Sequence, residues 1–196
     1  PDAPEPAWTP PQRLWHGCSL NKPIVTSAGE WLLPVSLWAR CDISGRFREA
    51  FQELDPLRGA NVLVSTDQGQ SWQHRGGVAL PHPNFDEHCL IERRDGSIWM
   101  TARTLDLNVW ESVSPDAGRS WSTPRESAIK HVNSRHVMRR LTSGSILLIK
   151  HGERVDQRTS DGKPYTGRSH LCAFLSDDDG VTWKGGLVLD ERHPCL

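Results

Sequence analysis

Two carboxylates and a histidine stand side by side at Asp86, Glu87 and His88, and arginines punctuate the chain at Arg40, Arg103, Arg135, Arg168 and Arg192. These residue types suit one kind of chemistry. A guanidinium grips a carboxylate through two parallel charge-assisted hydrogen bonds, and several converging ones select an acidic ligand. Carboxylates beside them can transfer a proton or orient a nucleophile. Metal chemistry fits less well. His82 and His88 flank the acidic pair, and His131 and His136 lie close together, but neither pair has ligand spacing on a defined element, so no metal is expected. The run Asp177-Asp178-Asp179-Gly180 lacks the spacing and terminal glutamate of a calcium loop. Dinucleotide, phosphate-loop and nucleophile-elbow motifs are absent from the sequence, and no cofactor is expected.

Whether such scattered groups converge depends on the elements that carry them. Those elements announce themselves through a repeated phrase: serine, any residue, aspartate, any residue, glycine, two more residues, tryptophan. The copies are Ser65 to Trp72, Ser114 to Trp121 and Ser176 to Trp183. A recurrence about every 50 to 60 residues signals a repeat architecture. In each copy the aspartate can accept hydrogen bonds from nearby backbone N–H groups, the glycine supplies a positive φ, and the tryptophan anchors a hairpin on apolar neighbours.

Between the copies run short strands with Gly, Asp or Pro turns and little helical periodicity. Residues 88–93, 97–103 and 109–114 read as three strands, Asp95-Gly96 as the first hairpin turn, and a fourth strand begins at 120. Four antiparallel strands per ~50 residues make one propeller blade. An earlier blade reads from 23–27, 31–40, 60–65 and 72–78, with an insertion over 41–58. A later one reads from 135–141, 145–150, 168–176 and 182–189, with an insertion over 152–167. Residues 47–54 are expected to carry a short helix. The chain is thus expected to be a single all-β propeller domain over 1–196, with blades at about 20–80, 86–127 and 133–190. Three blades do not close a ring, which takes about four to eight, so the chain is expected to be part of a longer propeller or to self-associate.

Composition narrows the function classes. The 196 residues carry a net charge of −1 with both signs interspersed, which argues against a nucleic-acid partner. No apolar run approaches the ~18 residues of a membrane span. Cys18, Cys41, Cys89, Cys172 and Cys195 form no C-x-x-C pair and read as small hydrophobes rather than a disulfide framework. Of the nine tryptophans, three belong to the repeats and most others to the core.

Blade topology sorts the loops. The repeated phrases occupy third-to-fourth turns, on the face away from the second-to-third loops and the blade links, so their aspartates are expected to be structural. The opposite face gathers the link 81–88, the link 130–135, Arg40, Arg103, Lys150, His151, Arg168 and the stretch 190–193. The expected binding set there is Arg40, Arg103, Arg135, Arg168, Arg192, Lys22, His88 and His151, with Asp86 and Glu87 as the catalytic carboxylates. Both insertions lie on this face, as loops that shape a substrate site do.

Further segments carry a resemblance. They are Asn21-Lys22-Pro23, residues 29–38, Phe85-Asp86-Glu87-His88, Asp95 to Met100 with Arg103-Thr104, residues 141–148, and Asp190 to Arg192. Together with the three phrases, which look like Asp-boxes, they resemble the bacterial branch of the sialidase-like, BNR-repeat proteins over roughly residues 15–192. The resemblance implies a six-bladed propeller. Its activity would be exo-hydrolysis of a terminal acidic sugar, sialic acid, from glycans, outside the cytoplasm in secreted or periplasmic form. It implies an arginine triad on the substrate carboxylate, filled here by Arg103, Arg135 and Arg168 with Arg40 and Arg192 in reserve. The family's acid/base aspartate would correspond to Asp86 or Glu87. The family nucleophile is a tyrosine from a late blade, whereas the only tyrosine here, Tyr165, lies in an insertion. Two other readings stand beside the first: a non-catalytic carbohydrate-binding propeller, and a hydrolase or lyase for another acidic sugar.

Overall fold

The computed structural model describes residues 7–152, 168 and 170–191; for Asn84 and Asp86, inside a strand, it describes the backbone alone. The described strands form three four-stranded antiparallel sheets, each with its strands side by side in chain order. The first joins β1 (Ile24–Val25), β2 (Trp31–Leu37), β3 (Gly59–Ser65) and β4 (Gln73–Val78). The second joins β5 (Pro83–Glu92), β6 (Ile98–Thr104), β7 (Asn108–Ser114) and β8 (Arg125–Lys130). The third joins β9 (Val137–Arg140), β10 (Ile146–His151), β11 (Leu171–Ser176) and β12 (Lys184–Asp190). The fold is therefore all-β and built of propeller-type blades.

Two local expectations change. The fourth strand of the second blade begins at Arg125, not 120, because Pro124 has no N–H to give the ladder and Ser122 is tied to Val113 instead. The 41–58 insertion holds no α-helix. It winds through three 3₁₀ segments, Arg40–Asp42, Gly45–Phe47 and Gln52–Leu57, the last containing Pro56.

The core lies between blades, and strand alternation explains it. From β6, Ile98, Met100 and Ala102 pack toward the first blade with Leu32, Val62 and Val64. Trp99, from the other face of the same strand, packs toward the third blade with Met138, Ile146 and Leu148. Both faces of β6 are covered, and all seven of its residues, polar ones included, are buried.

The three repeats share one bonding pattern. Asp67, Asp116 and Asp178 each accept the hydroxyl of the preceding serine (2.7–2.8 Å) and the N–H of Ser71, Ser120 or Thr182 (2.8–2.9 Å). The same downstream hydroxyl reaches the second carboxylate oxygen, and these bonds hold all three carboxyls down at about 2. Each aspartate is thus occupied with its own turn. The repeats also dock blades together. Arg75, paired with Glu30 at 2.7 Å, donates to Ala117 O in the second repeat, and Asp179 in the third accepts from Arg94 N (2.8 Å) and Arg140 (2.6 Å).

Gly180 shows how tightly these joints fit. Its φ is +90°, and a Cβ there would lie 2.5 Å from the Trp99 ring. Gly180→Ala is expected to cost roughly 3 kcal/mol, combining left-handed strain with overpacking. Gly144→Ala, with φ +88° and open space around it, should lose only the backbone share. Urea denaturation of both variants checks this; equal losses would show that the Trp99 contact contributes nothing.

Candidate functional site

The site is organised by a fault in the β5–β6 ladder. Pro83 pairs with Thr104 and His88 with Ala102, so the backbone of residues 84–87 spans the single position of Arg103 on the partner strand. Extra residues on one strand bend it and re-aim side chains. Two non-glycine residues here take left-handed backbone, His82 at φ 47° and Phe85 at φ 62°. Such strain persists only where the surroundings enforce it.

The bulge delivers Glu87 onto Arg103. Their contact is 2.7 Å, with both side chains almost fully buried (12% and 8% exposed). Arg103 also donates from Nε to Asn133 Oδ1 at 2.8 Å and lies over the Phe85 ring, 5.8 Å from its centroid. Phe85 in turn packs on Trp38, with centroids 4.8 Å apart. Arg103 is thus gripped through Nε and one terminal nitrogen, and it fixes Glu87 and the blade link.

The other expected binding residues divide. Arg40 is committed to the insertion, bonding Asp55 at 2.8 Å and the Arg48 carbonyl. His88 is buried, with Nε2 2.8 Å from Asn61 O and Nδ1 near Ser36. His151 ends β10 and is half-buried. By contrast, Arg135, Lys22 and Arg168 are exposed. Arg135 reaches Asn21 Oδ1 at 3.2 Å, and Asn21 donates to His88 O at 2.8 Å. Arg168 approaches Asn133 O at 3.5 Å. The backbone of Asp86 lies in the bulge; its side chain, Arg192 and Tyr165 lie outside the described residues.

Lys22 and Arg135 open onto a cleft of about 500 Å³ where β1, β5 and β9, the first strands of the three blades, run side by side. Arg139 and Arg140 line it too. Arg140 is tied to Glu92 O, Gly144 O and Asp179, and the Glu92 carboxylate is taken by Ser27. Lys22, Arg135 and Arg139 have no carboxylate partner among the described residues. The cleft is therefore cationic.

Sequence reasoning missed Asn21 and Asn133, which position Arg135, Arg103 and Arg168. It also missed the buried pair His131 and His136, whose ring centroids are 6.0 Å apart. The asparagines' position beside basic residues in blade links was the available signal. For the histidines nothing local distinguished burial from exposure.

With this geometry in view, comparison with known proteins is informative. The chain matches the BNR repeat-like domain over residues 3–194. It belongs to that family. Relatives include human Sialidase-4, 35% identical over 105 residues (53% of this chain, 19% of that protein). A sialidase of Vibrio cholerae is 27% identical over 158 residues (65% of this chain, 19% of that protein). Both relatives are spanned over about a fifth of their length. Among solved structures, the NanB sialidase of Streptococcus pneumoniae superposes with a TM-score of 0.54 at 18% identity, covering 83% of this chain and 22% of that one. A protein of unknown function from Dyadobacter fermentans gives 0.53 at 14%, covering 89% and 51%. These superpositions establish a shared fold. This BNR-repeat chain is sialidase-like in sequence and architecture.

Proposed function

We propose that the protein hydrolyses a terminal acidic sugar, sialic acid, from glycans, with the sugar bound at the cleft between the three first strands. The observation that carries the reading is the set of exposed cations without carboxylate partners, Arg135 foremost, facing a cleft of sugar-binding size. Arg135, Lys22 and Arg168, with Arg192, hold the substrate carboxylate. Glu87, fixed by Arg103, is an oriented carboxylate, and Asp86 supplies a proton to the departing glycosidic oxygen. The sialidase relatives support the substrate class, and the carboxylate of Glu87, fixed by Arg103, suits a reaction that passes through an oxocarbenium-like transition state.

The test is release of free sialic acid from sialyllactose by the wild-type chain and by Arg135→Ala. Loss of one charge-assisted contact is expected to lower kcat/KM roughly 100-fold. Unchanged turnover in the variant would overturn the assignment of Arg135. Saturable binding of sialyllactose without turnover would favour a carbohydrate-binding propeller instead.

A further inference from the structure

One side chain at the cleft joins all three blades. Asn21 stands just ahead of β1, and its Nδ2 donates to His88 O, in β5, at 2.8 Å. Its Oδ1 accepts from Nη2 of Arg135, just ahead of β9, at 3.2 Å. Asn21 and Arg135 both line the cleft, as does Cys89, the residue after His88. The orientation of the amide is not free. A carbonyl oxygen only accepts, so Nδ2 must face His88 O, which leaves Oδ1 for the guanidinium. Half a turn of the amide would set N–H against N–H and oxygen against oxygen.

The neutrality of that partner sets Arg135 apart. Arg40, Arg75, Arg103 and Arg140 each hold a carboxylate, from Asp55, Glu30, Glu87 and Asp179, at 2.6–2.8 Å. Those pairs join parts of the fold, and their charges cancel. Arg135 is exposed and held by an uncharged oxygen through one terminal nitrogen. The nearby carboxylate of Glu87, one residue before His88, is already matched by Arg103 at 2.7 Å. A carboxylate at position 21 would fix Arg135 but cancel its charge. An amide fixes the guanidinium and leaves the charge, with the remaining N–H groups, to a ligand. Ordering a long side chain beforehand also lowers the entropy cost of binding.

We propose that Asn21 is the positioning residue that makes the cleft select anionic sugars, holding Arg135 in place without neutralising it. The ligand class, a sugar carboxylate, rests on the proposed function. Arg135 takes that carboxylate, and Asn21 acts through Arg135 alone. The isosteric change Asn21→Asp is therefore worse for binding than the truncation Asn21→Ala. Both lose the bond to His88 O, so that loss is common to them. They differ in the charge set against Arg135. A purely structural role would give the opposite order, since aspartate keeps the shape of asparagine and alanine does not.

Two measurements on the full chain separate the role of Asn21 from the ligand it serves. The first needs no sugar. Phenylglyoxal adds to the deprotonated guanidine, and mass spectrometry reads the rate at Arg135 against that at Arg139, an exposed arginine of the same strand. Asn21→Asp should slow Arg135 about tenfold, because an adjacent carboxylate holds the guanidinium protonated, whereas Asn21→Ala should not slow it. Equal Arg135 rates in the wild type and Asn21→Asp overturn the proposal. The second is affinity for sialyllactose, read as KM if the sugar is turned over and as a calorimetric Kd if it is only bound. Asn21→Ala should weaken it about fivefold and Asn21→Asp roughly 50-fold. A loss in Asn21→Asp no larger than in Asn21→Ala overturns the selective role. A chain that neither binds nor cleaves sialyllactose, yet shows the slowed Arg135 in Asn21→Asp, upholds the neutral tether and overturns the substrate reading alone.

Discussion

Replacing Arg103 with methionine is expected to destabilise the protein by about 3–5 kcal/mol, because it leaves Glu87 buried without a counter-charge. The guanidinium makes a 2.7 Å contact to Glu87 and a 2.8 Å bond to Asn133, and both ionic partners are almost out of water. The pair's net worth against an apolar substitute is much smaller, since burying both charges is itself expensive. The double variant Arg103→Met with Glu87→Gln should therefore be more stable than Arg103→Met alone. Urea denaturation of the two single variants and the double one gives the coupling directly. Additive losses would show that the two side chains do not act as a pair.

The same substitution reaches the site through geometry. Glu87 holds its place only because four residues crowd opposite Arg103, and Phe85 rests its ring between Arg103 and Trp38. Without the guanidinium, the strained backbone at Phe85 loses one of the contacts that enforce it. Turnover in Arg103→Met should fall even under conditions where the variant is fully folded. Arg103→Lys should restore charge but not the two-directional grip, since a lysine cannot address Glu87 and Asn133 from a planar fork.

How much of this was readable beforehand follows from the range over which each feature is determined. The blades were legible because their determinants are local: alternation along 97–103, the Asp95-Gly96 turn, and the three serine-aspartate-glycine-tryptophan phrases. Placing those phrases on third-to-fourth turns also separated the structural aspartates from the opposite face. Arg103 carried a signal that went unused, since period-two alternation sets it on the same side as Trp99 and Thr101, toward the third blade. A buried position there predicts an arginine paired with a carboxylate, as Arg103 is with Glu87. The bulge was not legible. Pro83 and Asn84 read as a link, and only the partner strand reveals that 83 pairs with 104. Arg40 looked like a strand-end cation because its partner Asp55 comes from within a long insertion. His131 and His136 owe their burial to contacts with another blade, such as Thr101, which no local pattern reports.

Those two histidines lead to the second large effect, loss of stability in mild acid. His131 and His136 are 2% and 1% exposed, and the Nδ1 atoms of both, with Nε2 of His131, lack hydrogen-bond partners. Thr101 Oγ1 gives its proton to Met138 Sδ, so His136 donates from Nε2 to Thr101 at 3.0 Å and is held neutral in that tautomer. Burial pushes His131 down to about 4 and His136 to about 3; repulsion adds to it, from Lys150, Arg103 and His151 at His131 and from His131, His88, Lys150 and Arg103 at His136. The unfolded chain binds these protons near the ordinary value of ~6.5, while the folded chain resists them. Stability is therefore complete above pH ~6.5 and declines as pH falls, by up to ~1.4 kcal/mol per unit for each histidine. The decline continues toward pH 4 for His131 and pH 3 for His136. The repeat aspartates, held at about 2, cannot cause an early loss, since their contribution fades only as pH drops below their ordinary range. The two origins thus differ in onset. Urea midpoints should fall between pH 7 and 5 in the wild type. In the double variant His131→Leu with His136→Gln, which retains a donor for Thr101, they should fall much less, leaving only the smaller decline from His74, whose value burial also lowers. A variant that declines in parallel with the wild type from pH 6.5 would rule out the buried pair as the source.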